Sequence, residues 1–290
     1  MYLQLLQKVY PNCRIVDQWE LKGGISAQMT AFTVEALDGN KHNYVVRKLP
    51  SAILKKEKLL LEYLHSVGVS VPSVCLLTDE HLVMEYVEGN AVYAKEHSTG
   101  LVKQMAEELA KIHQLSLPSE VAHKLPKQKS RLEKLLSTRP AKLDETIDEE
   151  RIRDIVEAAW PFKESAHSCL IHGDFWPGNL LFHNGLLVAI TDWEDGELGS
   201  PLYDFAVSQL DVLWVFGKEA MDEFSEHYRS LTKLDFAPLP YWQLLVSLRP
   251  RFRFGQWASA YPHLGRADIT ESTLRAGHNE YVKNALSSLK

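Results

Sequence analysis

The chain has 290 residues, 45% hydrophobic and 24% charged, which suits one large globular domain or two lobes. A formal net charge of −6 argues against a nucleic-acid partner, and no apolar run approaches the 18 residues that a membrane span needs. The start MYLQLLQKVYPNC is too short and too polar for a signal peptide, so the expected compartment is the cytosol, with no membrane partner. Cys13, Cys75 and Cys169 form no CxxC pair and read as reduced residues of the interior.

In chain order, Leu21-Lys22-Gly23-Gly24-Ile25-Ser26 precedes an alternating stretch from Ala31 to Leu37. Paired glycines before a strand let backbone N–H groups approach a phosphate, which makes Gly24 and Ser26 candidate nucleotide contacts. The run is not a full GxGxxG loop, and an ordinary turn is the alternative. Asp38-Gly39-Asn40 reads as a turn, and Tyr44 to Leu49 returns as a strand. Alternation sends Arg47 and Lys48 to opposite faces of that strand.

A helix is predicted over Ala52–Ser66, with Leu54, Leu61 and Leu64 on one stripe. Glu57 lies on the same stripe, and a carboxylate turned inward needs a partner. Arg47 is the nearest cation that the pattern turns the same way. Val74–Leu77 and Leu82–Val87 pair around Asp79-Glu80, and the chain crosses to a second lobe at Glu88-Gly89. The expected division is residues 1–89 and 90–290. A core-facing helix is predicted over 100–117 and an amphipathic one over 144–160. The basic run from Lys124 to Lys134 reads as a solvated face, with phosphate binding as the alternative.

The chemistry concentrates in Leu170–Glu197, LIHGDFWPGNLLFHNGLLVAITDWEDGE. Cys169–Ile171 reads as a short strand that ends at His172-Gly173-Asp174. Leu180–Phe182 and Leu186–Ile190 read as a hairpin turned at Asn184-Gly185. A hairpin returns Asp192 toward Asn179 and Asp174, so the three are expected at one mouth. Phosphoryl transfer needs a carboxylate to accept the hydroxyl proton and oxygen ligands for Mg²⁺. The order His-x-Asp-x4-Asn, then Asp at a strand end, supplies both. Asp174 is the candidate base, and Asn179 and Asp192 are the candidate metal ligands. His172 braces the loop.

HGDFWPGN followed by TDWEDGELGSPLYDFA resembles the aminoglycoside phosphotransferase and choline kinase family, and weaker likeness extends from about Leu21 to Ala206. The resemblance implies an α+β, bilobal, protein-kinase-like fold with a small antiparallel-sheet N-lobe and a larger, mostly helical C-lobe. It implies transfer of a phosphate from ATP or GTP to a hydroxyl of a metabolite or aminoglycoside-like acceptor, with Mg²⁺. It puts Arg47 and Glu57 at the phosphates and Met84, Glu85 and Val87 at the base. It makes Asp204 the support of the catalytic loop. A nucleotide-binding regulator without turnover and a protein-substrate kinase are the alternatives.

Residues 192–235 carry eleven acids against three bases, where the family builds its acceptor pocket. Glu194, Asp195, Asp211 and Trp214 are therefore acceptor candidates, and a cationic acceptor would be attracted there. Arg249-Pro250-Arg251-Phe252-Arg253 would instead suit an anionic one.

Overall fold

The computed structural model describes residues 1–21, 28–94, 98–163 and 168–289. Gly24 and Ser26 lie outside them. In chain order the elements are α1 (Tyr2–Val9), β1 (Arg14–Glu20), β2 (Gln28–Glu35), β3 (Lys41–Lys48), α2 (Ser51–Ser66), β4 (Val74–Leu77), β5 (His81–Glu85), α3 (Ser98–His113), α4 (Ser119–Ala122) and α5 (Gln128–Leu136). There follow α6 (Glu149–Ala159), β6 (Cys169–Ile171), β7 (Leu180–His183), β8 (Leu186–Ile190), β9 (Glu197–Gly199), α7 (Pro201–Phe216), α8 (Lys218–Leu231), α9 (Leu239–Val246), α10 (Phe254–Ala258) and α11 (Glu271–Ser287).

The chain divides into two compact units. One is Met1–Asn90 with Ser119–Lys124 and Leu180–Gly196; the other is Ala91–Pro118, Leu125–Asn179 and Glu197–Lys290. The break after residue 90 lies next to the expected one. The β7–β8 hairpin, expected in the second lobe, groups with the first unit because Asn90 and Phe182 exchange backbone hydrogen bonds at 3.0 and 2.9 Å.

In the first unit, five strands among the described residues form an antiparallel sheet in the order β1-β2-β3-β5-β4. The α1 residues Leu5 and Leu6 pack on one face with Phe32, Val34, Tyr44, Val46 and Val83. Residues of β3 alternate, so Val46 facing α1 leaves Arg47 for the other face. Lys48 is exposed. On α2, Leu54, Glu57, Leu60, Leu61 and Leu64 are buried, so the carboxylate does sit inside the apolar stripe.

In the second unit, α7 is buried along its whole length. Its composition is mostly apolar, as an interior helix requires, and its buried Asp204, Ser208 and Asp211 each have a hydrogen-bond partner. Ser200 caps its first turn, accepting from the Leu202 N–H at 3.2 Å, with Pro201 at the first helical position. Helices α8, α9 and α11 pack against α7, and Phe205 stacks on Tyr228 at 4.5 Å. The helix expected over 144–160 divides at Asp148, whose φ is +55°. Asp144 takes the Thr146 N–H and hydroxyl, closing a tight turn before α6 begins. The helix expected over 100–117 stops at His113, ahead of Pro118. Among the described residues no helix is long and apolar enough to cross a membrane.

Candidate active site

The loop after β6 is held from α7. Asp204 is fully buried; its Oδ2 accepts the His172 N–H at 2.6 Å and its Oδ1 the Gly173 N–H at 2.8 Å. One turn further along α7, the Ser208 hydroxyl donates to the Phe175 carbonyl at 2.7 Å. Gly173 has φ +86°, a conformation that favours glycine, and the bend it makes turns Asp174 outward. Behind Asp204, His113 Nε2 lies 3.3 Å from Oδ2, and its Nδ1 is 2.6 Å from the Tyr228 hydroxyl. His172 is fully buried. Its Nδ1 accepts the Asp174 N–H at 3.3 Å and its ring meets Phe175 edge-on at 5.8 Å. His172 and Asp204 thus both brace the loop.

Asp174 presents a carboxylate that is 31% exposed. Asn179 Nδ2 donates to its backbone carbonyl at 2.9 Å and to its Oδ2 at 3.2 Å. Arg249 Nη2 donates to its Oδ1, and Arg249 Nη1 reaches Asp211 Oδ2 at 3.1 Å. Burial pushes Asp211 up to about 6, against the pull of Arg249, with the Asp174 charge adding to the rise. Burial opposes the charge of Arg249, but Asp211 and Asp174 outweigh it and hold the guanidinium above its ordinary range. Nothing in the sequence pattern singled out Arg249 as a neighbour of Asp174, since it is one of three arginines in a loop.

The first unit carries a second arginine centre. Arg47 Nη1 donates to Glu57 Oε1 at 2.5 Å; Nη2 meets Asp192 Oδ1 at 2.6 Å and Glu194 Oε2 at 2.8 Å. Burial works against the Arg47 charge, but the three carboxylates outweigh it and keep the group raised. Burial likewise pushes Glu57 up to about 7; Arg47 opposes this, and Asp192 and Glu194 reinforce it. The turn that delivers Asp192 and Glu194 is anchored by Trp193, fully buried, whose Nε1 donates to the Ile190 carbonyl at 3.2 Å. At Gly196 a Cβ would lie 2.5 Å from Leu60 Cδ1, so the turn closes on α2 only with glycine there. Asp192 itself has φ +65°, a strained conformation for a residue with a side chain.

These groups suit a divalent cation bound with phosphates. Asp192 and Glu194 outnumber the one guanidinium they share, and Glu57, raised to about 7, adds further negative charge as pH rises past that value. Among the described residues no cluster of three or more His, Cys, Asp or Glu makes an all-protein metal site. Mg²⁺ does not need one, because it is usually held by one or two side chains plus substrate phosphates.

The acceptor candidates are redistributed. Glu194 is the third carboxylate on Arg47, because the buried Trp193 turns it that way. Trp214 is a core residue: its Nε1 donates to the Leu274 carbonyl at 2.8 Å, and Gly277 packs on its ring. Asp195 is exposed in the first unit, and within the second unit Asp211 shares Arg249 with Asp174. Six of the eleven acids in 192–235 pair as follows. Asp192 and Glu194 pair with Arg47, Glu197 with Arg131, Asp204 with the loop, Asp211 with Arg249 and Asp222 with Lys218. Arg131, from the run read as a solvated face, holds Glu197 at 2.6 Å. Among the base-site candidates, Met84 is buried opposite Val45, Glu85 is exposed opposite Tyr44, and Val87 is half-buried. Gly89 lies against the hairpin, where a Cβ would be 3.0 Å from Val188 Cγ2.

An antiparallel-sheet unit and a helical unit thus each carry one arginine–carboxylate centre. The chain belongs to the phosphotransferase enzyme family, whose family model matches residues 20–239. It is 28% identical over 195 residues to mouse acyl-CoA dehydrogenase family member 10, a match covering 57% of this chain and 18% of that protein. The chain spans well under half the length of the acyl-CoA dehydrogenase relatives it matches. Among solved structures it is similar to the macrolide 2′-phosphotransferase MphH from Brachybacterium faecium, at 18% identity and a TM-score of 0.67, covering 96% and 97% of the two chains. It is also similar to the ADP-bound aminoglycoside phosphotransferase APH(2″)-Ib, at 20% identity and a TM-score of 0.59, covering 97% and 95%. The fold is therefore α+β and protein-kinase-like.

Proposed function

We propose that this chain transfers the γ-phosphoryl group of ATP or GTP to a hydroxyl of a small molecule, with Asp174 as the base. The observation that carries this reading is the presentation of Asp174. A buried carboxylate on α7 fixes the loop backbone, and Asn179 and Arg249 hold the two carboxylate oxygens. Asp174 takes the acceptor's proton as the new bond to phosphorus forms, which adds typically 10²–10⁴ to turnover. Arg47, kept charged by its three acids, is the cation for the nucleotide phosphates, and Glu57 sets its direction. We assign the Mg²⁺ ligand role to Asp192, which shares Arg47 with Glu194, and to the Asn179 carbonyl oxygen. When bound, the ion neutralises charge on the phosphates. The ADP- and GDP-bound states named for structures of this fold support a nucleotide co-substrate. Because Asp211, the acid nearest Asp174, is already paired with Arg249, the acceptor need not be a polycation.

A screen of sugars, amino alcohols and aminoglycosides for acceptor-dependent ADP release tests the proposal. Asp174→Ala should lower turnover by about 10²–10⁴. Undiminished turnover in that variant removes the base assignment, and silence across the whole panel removes the enzyme reading.

A further inference from the structure

Arg249 is built to hold one position. It follows α9, and its own N–H donates to the Val246 carbonyl at 2.9 Å. Just beyond it, Phe252 has φ +55° and gives its N–H to Asp144 Oδ2 at 2.8 Å, while Arg251 Nε lies 2.8 Å from the fully buried Glu149. The Ser247 carbonyl accepts from His278 Nε2 at 2.8 Å on the preceding side. The backbone around Arg249 is therefore fixed by contacts that do not involve Asp174. Only the guanidinium reaches out, with one arm to Asp211 on the buried α7 and the other to Asp174.

We infer that Arg249, steadied by Asp211, is a positioning residue that sets the orientation of the Asp174 carboxylate. The inference rests on Asp174 being the base. A carboxylate with one oxygen in the arm of a guanidinium and the other on an amide has little freedom to rotate, so its remaining lone pairs keep one direction. Asp211 divides the arginine's charge. With Asp211 ionised, Arg249 serves two carboxylates. With Asp211 protonated, Arg249 loses the charge that anchors its other arm, and its hold on the direction of Asp174 loosens.

The groups facing Asp211 from the packed elements are Arg249 after α9, Asp174 after β6, Tyr261 after α10 and Tyr281 on α11. The two tyrosines are raised by burial and stay neutral, leaving Arg249 and Asp174 as the charged neighbours. Since Asp211 titrates near 6, turnover should show an acid-side inflection there.

The test uses the full chain, with Mg·ATP turnover measured with water as acceptor and with the best acceptor from the screen. Arg249→Ala should lower kcat by about 10²-fold, the size of a catalytic group displaced by about an ångström, with the nucleotide KM little changed. Guanidinium ion, added far below denaturing concentrations, should restore part of that loss, since the Arg249 side chain is 23% exposed and its site can be reached. Asp211→Asn, which keeps the shape, should lose the inflection near pH 6 and should weaken guanidinium rescue in the double variant. An active wild type whose Arg249→Ala variant keeps its kcat, or whose Asp211→Asn variant keeps the inflection, overturns the inference alone. A wild type that turns over while Asp174→Asn matches it overturns the base assignment, and this inference with it. If Arg249→Ala does not fold, the pH profile of Asp211→Asn decides.

Discussion

The two arginine centres differ in how they are made. Arg47 is 2% exposed in its side chain and serves three carboxylates; Arg249 is 23% exposed and serves two. Arg47 comes from a strand and Glu57 from the helix that follows it, so regular alternation and a helical stripe bring them face to face. Arg249 comes from an irregular loop and meets Asp174 across 75 positions of sequence. Burial makes the first centre a question of stability, because a desolvated charge without its partner is costly. Partial exposure makes the second a question of orientation, where a lost contact is partly replaced by water.

The sharpest way to break this contrast is to remove each arginine in turn. Arg47→Ala strands Glu57 and two further acids, and should cost about 3–5 kcal/mol in urea unfolding. Arg249→Ala should cost roughly half as much or less, because water reaches its site. Equal losses would show that exposure does not separate the two centres.

The support behind Asp174 comes next. Asp204→Asn replaces an acceptor of two loop N–H groups with an amide that can accept only through one oxygen. It should cost about 2–3 kcal/mol and lower turnover without changing the nucleotide KM. A stability loss with kcat intact would separate the loop's shape from its chemistry.

Asp211 gives a pH-dependent test. Its carboxyl is raised from 3.8 to about 6, so the folded state holds that proton more tightly than the unfolded chain. The stability tied to this shift is complete below the unfolded value and is lost as pH rises through about 6, a change on the order of 3 kcal/mol. Asp211→Asn should therefore gain on the wild type between pH 4 and pH 7 in paired urea titrations. A constant difference across that range would contradict the shift. The smallest expected effect is Ser208→Ala, which loses one buried hydrogen bond to the Phe175 carbonyl and should cost about 1 kcal/mol by the same measurement.

Several of these features were legible in the sequence for a common reason. Arg47 and Glu57 obey the strand period of two and the helix period of 3.6, and Asp174, Asn179 and Asp192 sit at short spacings along one stretch of chain. Asp204 was reached through the family resemblance of the TDWEDGELGSPLYDFA segment. Glu194 and Trp214 were misjudged because composition counts charges and aromatic rings without saying what they touch. The acid excess of 192–235 suggested an open anionic surface, yet six of those eleven acids are taken up by arginines, a lysine and backbone N–H groups.

What the sequence by itself determined is the set of local elements and the phosphotransferase motif, since both depend on neighbours within a few turns of chain. The tertiary structure alone decided that Arg249 and Asp211 clasp Asp174, that Glu194 joins Arg47, and that the β7–β8 hairpin groups with the first unit. Those outcomes depend on which distant segments fill one another's space, and a pairing across dozens of residues leaves no period in the chain to be read.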